Sequence, residues 1–138
     1  MNDEEARRRV EGARVARLGT VDRDGRAHLV PVTFALTGDR LVSAVDWKPK
    51  RTTELHRLAN VRRTGAASAL VDHYDDTAWT ALWWVRMRGP AFVAEPGSDD
   101  HAGAVAALVA RYRQYAERPP AGAAIVIEIE EWRSWSAS

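Results

Sequence analysis

The chain has 138 residues, no cysteine and a net charge of +1 at neutral pH, with 46% apolar and 28% charged residues, which fits a single globular domain. Near-neutrality gives no global pull toward nucleic acid, so any electrostatic function must come from local clustering, and the lack of Cys excludes disulfides, thiolate metal sites and a Cys nucleophile. The charged start, MNDEEARRRVEG, has no apolar signal-peptide core, and no apolar run approaches the ~20 residues that span a bilayer, so a soluble, cytoplasmic protein is expected.

In chain order, Glu4 to Gly12 reads as a short polar helix with Arg7, Arg8 and Arg9 outward, a solvated cap. The β-rich runs 14-RVARLGTV-21 and 26-RAHLVPVTFAL-36 flank 22-DRDG-25, an Asp-rich turn ending in Gly that signals a hairpin. A second turn, 37-TGDR-40, leads to 41-LVSAVDW-47 and completes a three-stranded meander. Residues 51-RTTELHRLANVRR-63 place Leu55, Leu58 and Ala59 at helical spacing, with Arg57, Arg62 and Arg63 toward an end that favours cations.

Two strands follow, 66-AASALVDHY-74 and the longer 81-ALWWVRMRGPAFVAE-95, whose Gly89-Pro90 predicts a bulge or bend because Pro cannot donate to a ladder. Ser98 caps a helix with Asp99 and Asp100 in its first turn and Val105, Leu108, Val109, Tyr112 and Tyr115 as its apolar face. The last strand, 123-AAIVIEIEEW-132, has Ile125, Ile127 and Ile129 on one face and Glu128 and Glu130 on the other. The order α-βββ-α-ββ-α-β, with short turns between neighbouring strands, argues for an antiparallel barrel over a βαβ sheet.

The stretch 46-DWKPKRTTEL-55 is electrostatically odd. Lys48, Lys50 and Arg51 gather where a helix begins, and the dipole there disfavours each cation by about 0.3–1 kcal/mol. Pro49 suits a first helical turn, and the unpaired N–H groups beyond it form a ready anion site, to which Thr52 and Thr53 add hydroxyls. Two readings stay open on the residues alone: an anion-binding turn, or cations extended into water.

The runs 17-RLGTVDRDGRAHLVPVTFAL-36, 41-LVSAVDWKPKRTTELHRLAN-60, 70-LVDHYDD-76 and 83-WWVRMRG-89 resemble the split β-barrel flavin/deazaflavin oxidoreductases, the superfamily that includes pyridoxamine 5′-phosphate oxidases. Within it the chain is most similar to the actinobacterial branch that uses coenzyme F-420, a deazaflavin, as is its ending, 111-RYRQYAERPP-120 with 131-EWRSWSA-137. The resemblance covers nearly the whole chain. It implies one mainly β (α+β) domain over residues 1–138, a six-stranded antiparallel split β-barrel with flanking helices. It also implies a homodimer with a cofactor in each of two interface grooves.

By that resemblance the cofactor phosphate meets Lys48, Lys50, Arg51 and Thr52, and the tricyclic ring lies along Val30, Pro31, Val32 and Thr33 and along Ser43, Ala44 and Val45. The partner subunit closes such sites with aromatic residues, for which Trp79, Trp83 and Trp84 are candidates. The expected activity is hydride transfer between coenzyme F-420 and a small, planar, unsaturated substrate, with no catalytic residue assigned. Alternatives are an FMN-dependent enzyme of the pyridoxamine-phosphate oxidase type, or a non-catalytic carrier of deazaflavin, flavin or haem. FMN and the deazaflavin share a flat ring, a ribityl chain and a phosphate; the deazaflavin adds a carboxylate-bearing tail, for which Arg57, Arg86 and Arg88 offer a basic track.

His28 shares a strand face with Val30, Val32 and Phe34, and either meets the cofactor ring or simply ends the strand. His73 with Asp72, Asp75 and Asp76 is a weak metal pattern. No Ser-His-Asp or paired-carboxylate pattern supports hydrolysis. Five of the six tryptophans fall in two clusters, Trp79, Trp83 and Trp84, then Trp132 and Trp135; they suit core or interface, or a flat substrate against Trp83 or Trp84.

Overall fold

The two ends of the β-sheet are consecutive in the chain, and that one fact organises the molecule. The structure, a computed structural model, describes residues 1–45 and 52–138, and of 52–55 the backbone only. Its elements are α1 (Asp3–Glu11), β1 (Ala16–Val21), β2 (Ala27–Val32), β3 (Ala35–Thr37), β4 (Arg40–Ala44), α2 (Thr52–Thr64), β5 (Ala66–His73), a single 3-10 turn (Trp79–Ala81), β6 (Trp83–Ala94), α3 (Asp99–Arg111), α4 (Arg113–Glu117), β7 (Ala124–Glu128) and β8 (Glu131–Ser136). The strand order is β2-β1-β5-β6-β7-β4-β3, with β8 also pairing β6, and every pairing is antiparallel. The terminal strands β2 and β3 are joined by Thr33 and Phe34 alone, so the sheet curls until its edges meet through the chain instead of a ladder. This is a split barrel.

Eight strands appear where the sequence reading has six, because two predicted strands are each divided. Residues 26–36 leave the ladder after Val32 and re-enter it at Ala35 on the other side of the split. Residues 123–132 break after Glu128, so that β7 pairs with β4 while β8 pairs with β6. Strand β6 is shared between the two halves. Up to Pro90 it pairs with β5, and with β8 as far as Arg88; from Ala91 it pairs with β7. Gly89 stands at that changeover, where a Cβ would collide with the Glu128 carbonyl oxygen, so the predicted bend needs a residue without a side chain.

Both faces of β7 are buried, which departs from the predicted in-out alternation. Ile125 and Ile127 enter the barrel core with Leu18, Phe34, Val85 and Met87, whereas Ala124 and Val126 pack under α3 with Ala104 and Leu108. Ser98 caps α3 as expected, accepting a hydrogen bond from the His101 N–H at 3.1 Å.

Helix α1 corrects the reading of a solvated cap. Ala6 and Val10 are fully buried, and the guanidinium carbons of Arg7 and Arg9 lie 5.2 and 5.5 Å from the ring centroids of Trp132 and Trp83. Charge adjacency hid a buried stripe four residues apart, and the arginines cover the tryptophans that complete it. In α2 it is Leu58, Val61 and Asn60 that are buried, while Ala59 is exposed. The Asn60 amide donates to Thr20 Oγ1 (3.1 Å) and Asp22 Oδ1 (2.8 Å), fixing the β1–β2 hairpin to the helix.

The split is stitched from the α3–α4 corner. Tyr112 Oη accepts from the Phe34 N–H (3.1 Å) and faces the carbonyls of Phe34 (3.0 Å) and Arg14 (2.8 Å). Tyr115 Oη shares a 2.7 Å hydrogen bond with Thr33 Oγ1. Arg111 donates to the carbonyls of Glu11 and Ala13 and lies 4.9 Å over the Phe34 ring. Losing the Tyr112 hydroxyl strands the buried Phe34 amide, so Tyr112→Phe is expected to cost about 1–3 kcal/mol in urea denaturation. Tyr115→Phe is expected to cost less, about 1 kcal/mol, because the half-buried Thr33 hydroxyl can turn to water.

Candidate functional site

Two of the predicted binding segments border the split: Val30–Thr33 runs to the end of β2, and Ser43–Val45 runs off the end of β4. Strand β4 pairs with β3 only from Arg40 to Val42, so Ser43 and Ala44 extend past the end of β3. Continuing that register sets Phe34, Thr33 and Val32 opposite Ser43, Ala44 and Val45. The chain instead leaves the ladder at Phe34, and β2 departs as an edge strand with no strand beyond it.

Within this frame Val32, Ser43, Ala44 and Val45 are buried, Val30 and Thr33 half-buried, and Pro31 exposed. Val45 is held from its other side: its N–H donates to the Ala123 carbonyl (2.9 Å) and its carbonyl accepts from the Gly122 N–H (3.0 Å). A Cβ on Gly122 would sit 2.5 Å from that carbonyl, so this strap admits only glycine. Lys48, Lys50 and Arg51 lie outside the described residues, as does the Thr52 side chain; helix α2 begins at Thr52.

His28 lies on β2 opposite Thr20 with its Nδ1 buried and without a hydrogen-bond partner. Its ring stands edge-on to His56, 6.0 Å between centroids, in the second turn of α2. A buried ring nitrogen left unpaired beside the start of α2 is a place where a bound polar group would be satisfied. Sequence reasoning gave His56 no distinguishing context. Its spacing to Asn60 and Arg63 was the available signal, since the three share one helix face and line a cavity of about 590 Å³ with Asp22 of the hairpin.

The tryptophans do not converge within one chain. Trp79 is 64% exposed in the 3-10 turn. Trp83 points to the barrel interior side, stacked on His73 (6.3 Å, 21° between planes) and covered by Arg9. Trp84 faces the opposite side of the sheet, with the Arg86 guanidinium carbon 5.7 Å from its centroid. The other acids near His73 are engaged locally: Asp75 accepts from the Thr77 N–H and hydroxyl, and Asp76 from the Tyr74 hydroxyl. Among the described residues no group of three or more metal-ligating side chains comes together.

The outer face of β2-β1-β5-β6-β8 carries Leu29 (69% exposed), Val21, Leu70 and Trp135 in the open, an apolar surface interrupted by arginines. Arg88 Nε lies 2.5 Å from Glu131 Oε1, and Arg133 lies 3.5 Å from its other oxygen. The Arg88 guanidinium holds the Glu131 carboxyl below the usual carboxylate range, with Arg133 adding to the effect.

A sheet that is antiparallel throughout and open at one seam defines a split barrel. The sequence matches the model of the pyridoxamine 5′-phosphate oxidase family over residues 2–136, and the chain belongs to that family. No curated protein matches the sequence. Among solved structures, a conserved hypothetical protein from Mycobacterium tuberculosis is similar with a TM-score of 0.78 and 20% identity, over 99% of this chain and 86% of that one. A heme-binding protein from Mycobacterium smegmatis superposes with a TM-score of 0.70 and 20% identity, over 97% of this chain and 57% of that one. An FAD-binding protein from the same organism gives a TM-score of 0.62 and 16% identity, over 98% and 96%. At these identities the likeness is one of fold.

Because the pKa of Glu131 is lowered in the folded state, its ion pair contributes stability above the ordinary glutamate range and loses it as the pH falls through the lowered value. Glu131→Gln should therefore lower the thermal midpoint at neutral pH, with the gap to the parent protein closing in acid, as followed by circular dichroism across a pH series.

Proposed function

We propose that the protein is a deazaflavin-dependent oxidoreductase that binds coenzyme F-420 and passes a hydride between it and a small, planar, unsaturated substrate in the cytoplasm. What supports this reading is that the backbone of Val30–Thr33 and of Ser43–Val45 borders the split in the sheet, the latter followed in sequence by a cluster of cations. A tricyclic ring fits backbone groups of that kind, and Lys48, Lys50, Arg51 and Thr52 offer the charge and hydroxyl for its phosphate. His28 and Ser43 would meet polar edges of the group from the barrel side. The cofactor, when bound, supplies the hydride chemistry; the chain binds, orients and excludes water. That division accounts for the lack of an evident acid, base or nucleophile.

A second reading, an FMN-dependent oxidase or reductase, is favoured by the family itself. A carrier role draws on the fold likeness to the heme-binding and FAD-binding proteins. Titration of the purified protein with coenzyme F-420, FMN and haem separates them. The expected result is tightest binding of the deazaflavin and its turnover with a conjugated acceptor. Submicromolar FMN binding without deazaflavin binding overturns the reading, and deazaflavin binding without hydride transfer to any acceptor makes the protein a carrier. Lys50→Ala with Arg51→Ala is expected to weaken either phosphate-bearing cofactor by tenfold or more while the circular dichroism spectrum stays unchanged.

The same reading includes a homodimer that covers the outer face of β2-β1-β5-β6-β8, with Trp79 and Trp84 reaching toward the partner's seam. Supporting it is the exposure of Leu29, Leu70, Val21 and Trp135 on one continuous surface. Sedimentation should give a dimer, and Leu29→Glu should shift it to monomer without unfolding, because that side chain projects from the sheet.

A further inference from the structure

Both borders of the split are held by one stretch of chain, residues 99–123. At the β2 border, Tyr112 Oη accepts from the Phe34 N–H and Tyr115 Oη shares a hydrogen bond with Thr33. At the β4 border, the Val45 N–H donates to the Ala123 carbonyl and the Gly122 N–H to the Val45 carbonyl. Between these two attachments, Ala104 and Leu108 of α3 share one buried cluster with Ala35, Val42, Ala44 and Val126.

The attachment at Val45 is the end of a ladder. Ala44 pairs with Ala124 in the β4–β7 register, and Val45 with Gly122 and Ala123 continues it one step further. The end of a ladder frays unless something beyond it is fixed. Here a single side chain supplies the fixing. His101 Nε2 lies 2.8 Å from the Gly122 carbonyl oxygen, a contact across 21 positions of sequence. A carbonyl only accepts, so the hydrogen sits on Nε2 and the imidazole donates. His101 is the third residue of α3, where Glu or Gln is favoured because its side chain reaches back to the cap. The imidazole reaches Gly122 instead, and a carboxylate in its place would have no hydrogen to give that carbonyl.

We propose that His101 is a positioning residue: through Gly122 it holds Val45, and with it the Ser43–Val45 border of the split, in register with the border that the two tyrosines hold. The inference rests on the reading that a cofactor ring lies along Val30–Thr33 and Ser43–Val45. It adds a residue outside both segments that keeps one of them pre-organised for the ring. Because His101 acts through the strap, its loss costs affinity while the fold stands.

The test compares the parent chain with His101→Ala, His101→Gln and Val71→Ala, the last a core truncation on β5, which pairs with neither β4 nor β7. Amide hydrogen exchange is followed by NMR without ligand, and deazaflavin affinity by ring fluorescence. His101→Ala should speed exchange at the Val45 and Gly122 amides, leave Leu41 and Val42 unchanged, and weaken deazaflavin binding about tenfold. His101→Gln keeps an N–H donor of similar reach and should restore both readings. Val71→Ala should lower the thermal midpoint and leave both at the parent values. Unchanged exchange at Val45 in His101→Ala overturns the proposal. Faster exchange with unaltered deazaflavin affinity overturns it too, because the contact then serves stability alone. An equal loss of affinity in Val71→Ala has the same force, since the effect then follows global stability. The exchange measurement needs no ligand, so a parent chain that binds no deazaflavin refutes the reading of the site and leaves the hold of His101 on Val45 separately decided.

Discussion

Everything in this fold depends on how the sheet's two free ends are held against each other. Strands β2 and β3 are neighbours in sequence but belong to opposite ends of the strand order, so hydrogen bonds of the ladder cannot close the barrel. The closure comes from a helix corner instead. The chain breaks from α3 at Tyr112, whose extended backbone turns its hydroxyl onto Phe34 and Arg14, while Tyr115 reaches Thr33. Two phenols and one guanidinium thus do what a ladder would otherwise do. A barrel closed by its own ladder would be sturdier there and would have nothing to offer a ligand.

The same arrangement sorts the two faces of the sheet. Helices α1 and α3 and the barrel interior take one side of nearly every strand, which is why β7 is buried on both faces and Ala6 and Val10 vanish under arginine-capped tryptophans. The outer face of β2-β1-β5-β6-β8 receives no helix. What remains there is an apolar surface carrying ion pairs. Strand β6 connects the two environments, because it changes partner at Gly89 and so belongs to both halves of the barrel.

Most of the architecture was legible in the sequence, for physical reasons that can be named. The hairpin at 22-DRDG-25, the cap at Ser98 and the bend at Gly89-Pro90 are local, set by residues that only suit those backbones. The family resemblance implies one site for 30-VPVT-33 and 43-SAV-45, and in the fold both segments border the split. The division of 26–36 was not legible. Its cause is long-range: Tyr112 captures Phe34 from 78 positions away. Alternation across 123–132 misled for a similar reason, since helix α3, predicted as an element but not as a neighbour, packs over the face that Val126 presents. The run Arg7-Arg8-Arg9 reads as solvent-facing until Trp83 and Trp132 are placed beneath it. His56 acquires meaning only from what stands opposite, the ring of His28.

The separation between seam and outer face also bears on cofactor choice. A ring bound by strand backbone and a phosphate bound at a helix start are recognised through features that FMN and a deazaflavin have in common, so neither contact discriminates. Discrimination must come from groups that meet the parts where the two differ, and the largest of these is a carboxylate-bearing tail. A cation already satisfied by a neighbouring acid, such as Arg88 with Glu131, gains little from a second carboxylate because the first must be displaced. A half-buried cation facing another cation gains most, since one incoming carboxylate satisfies its donor and offsets the repulsion together.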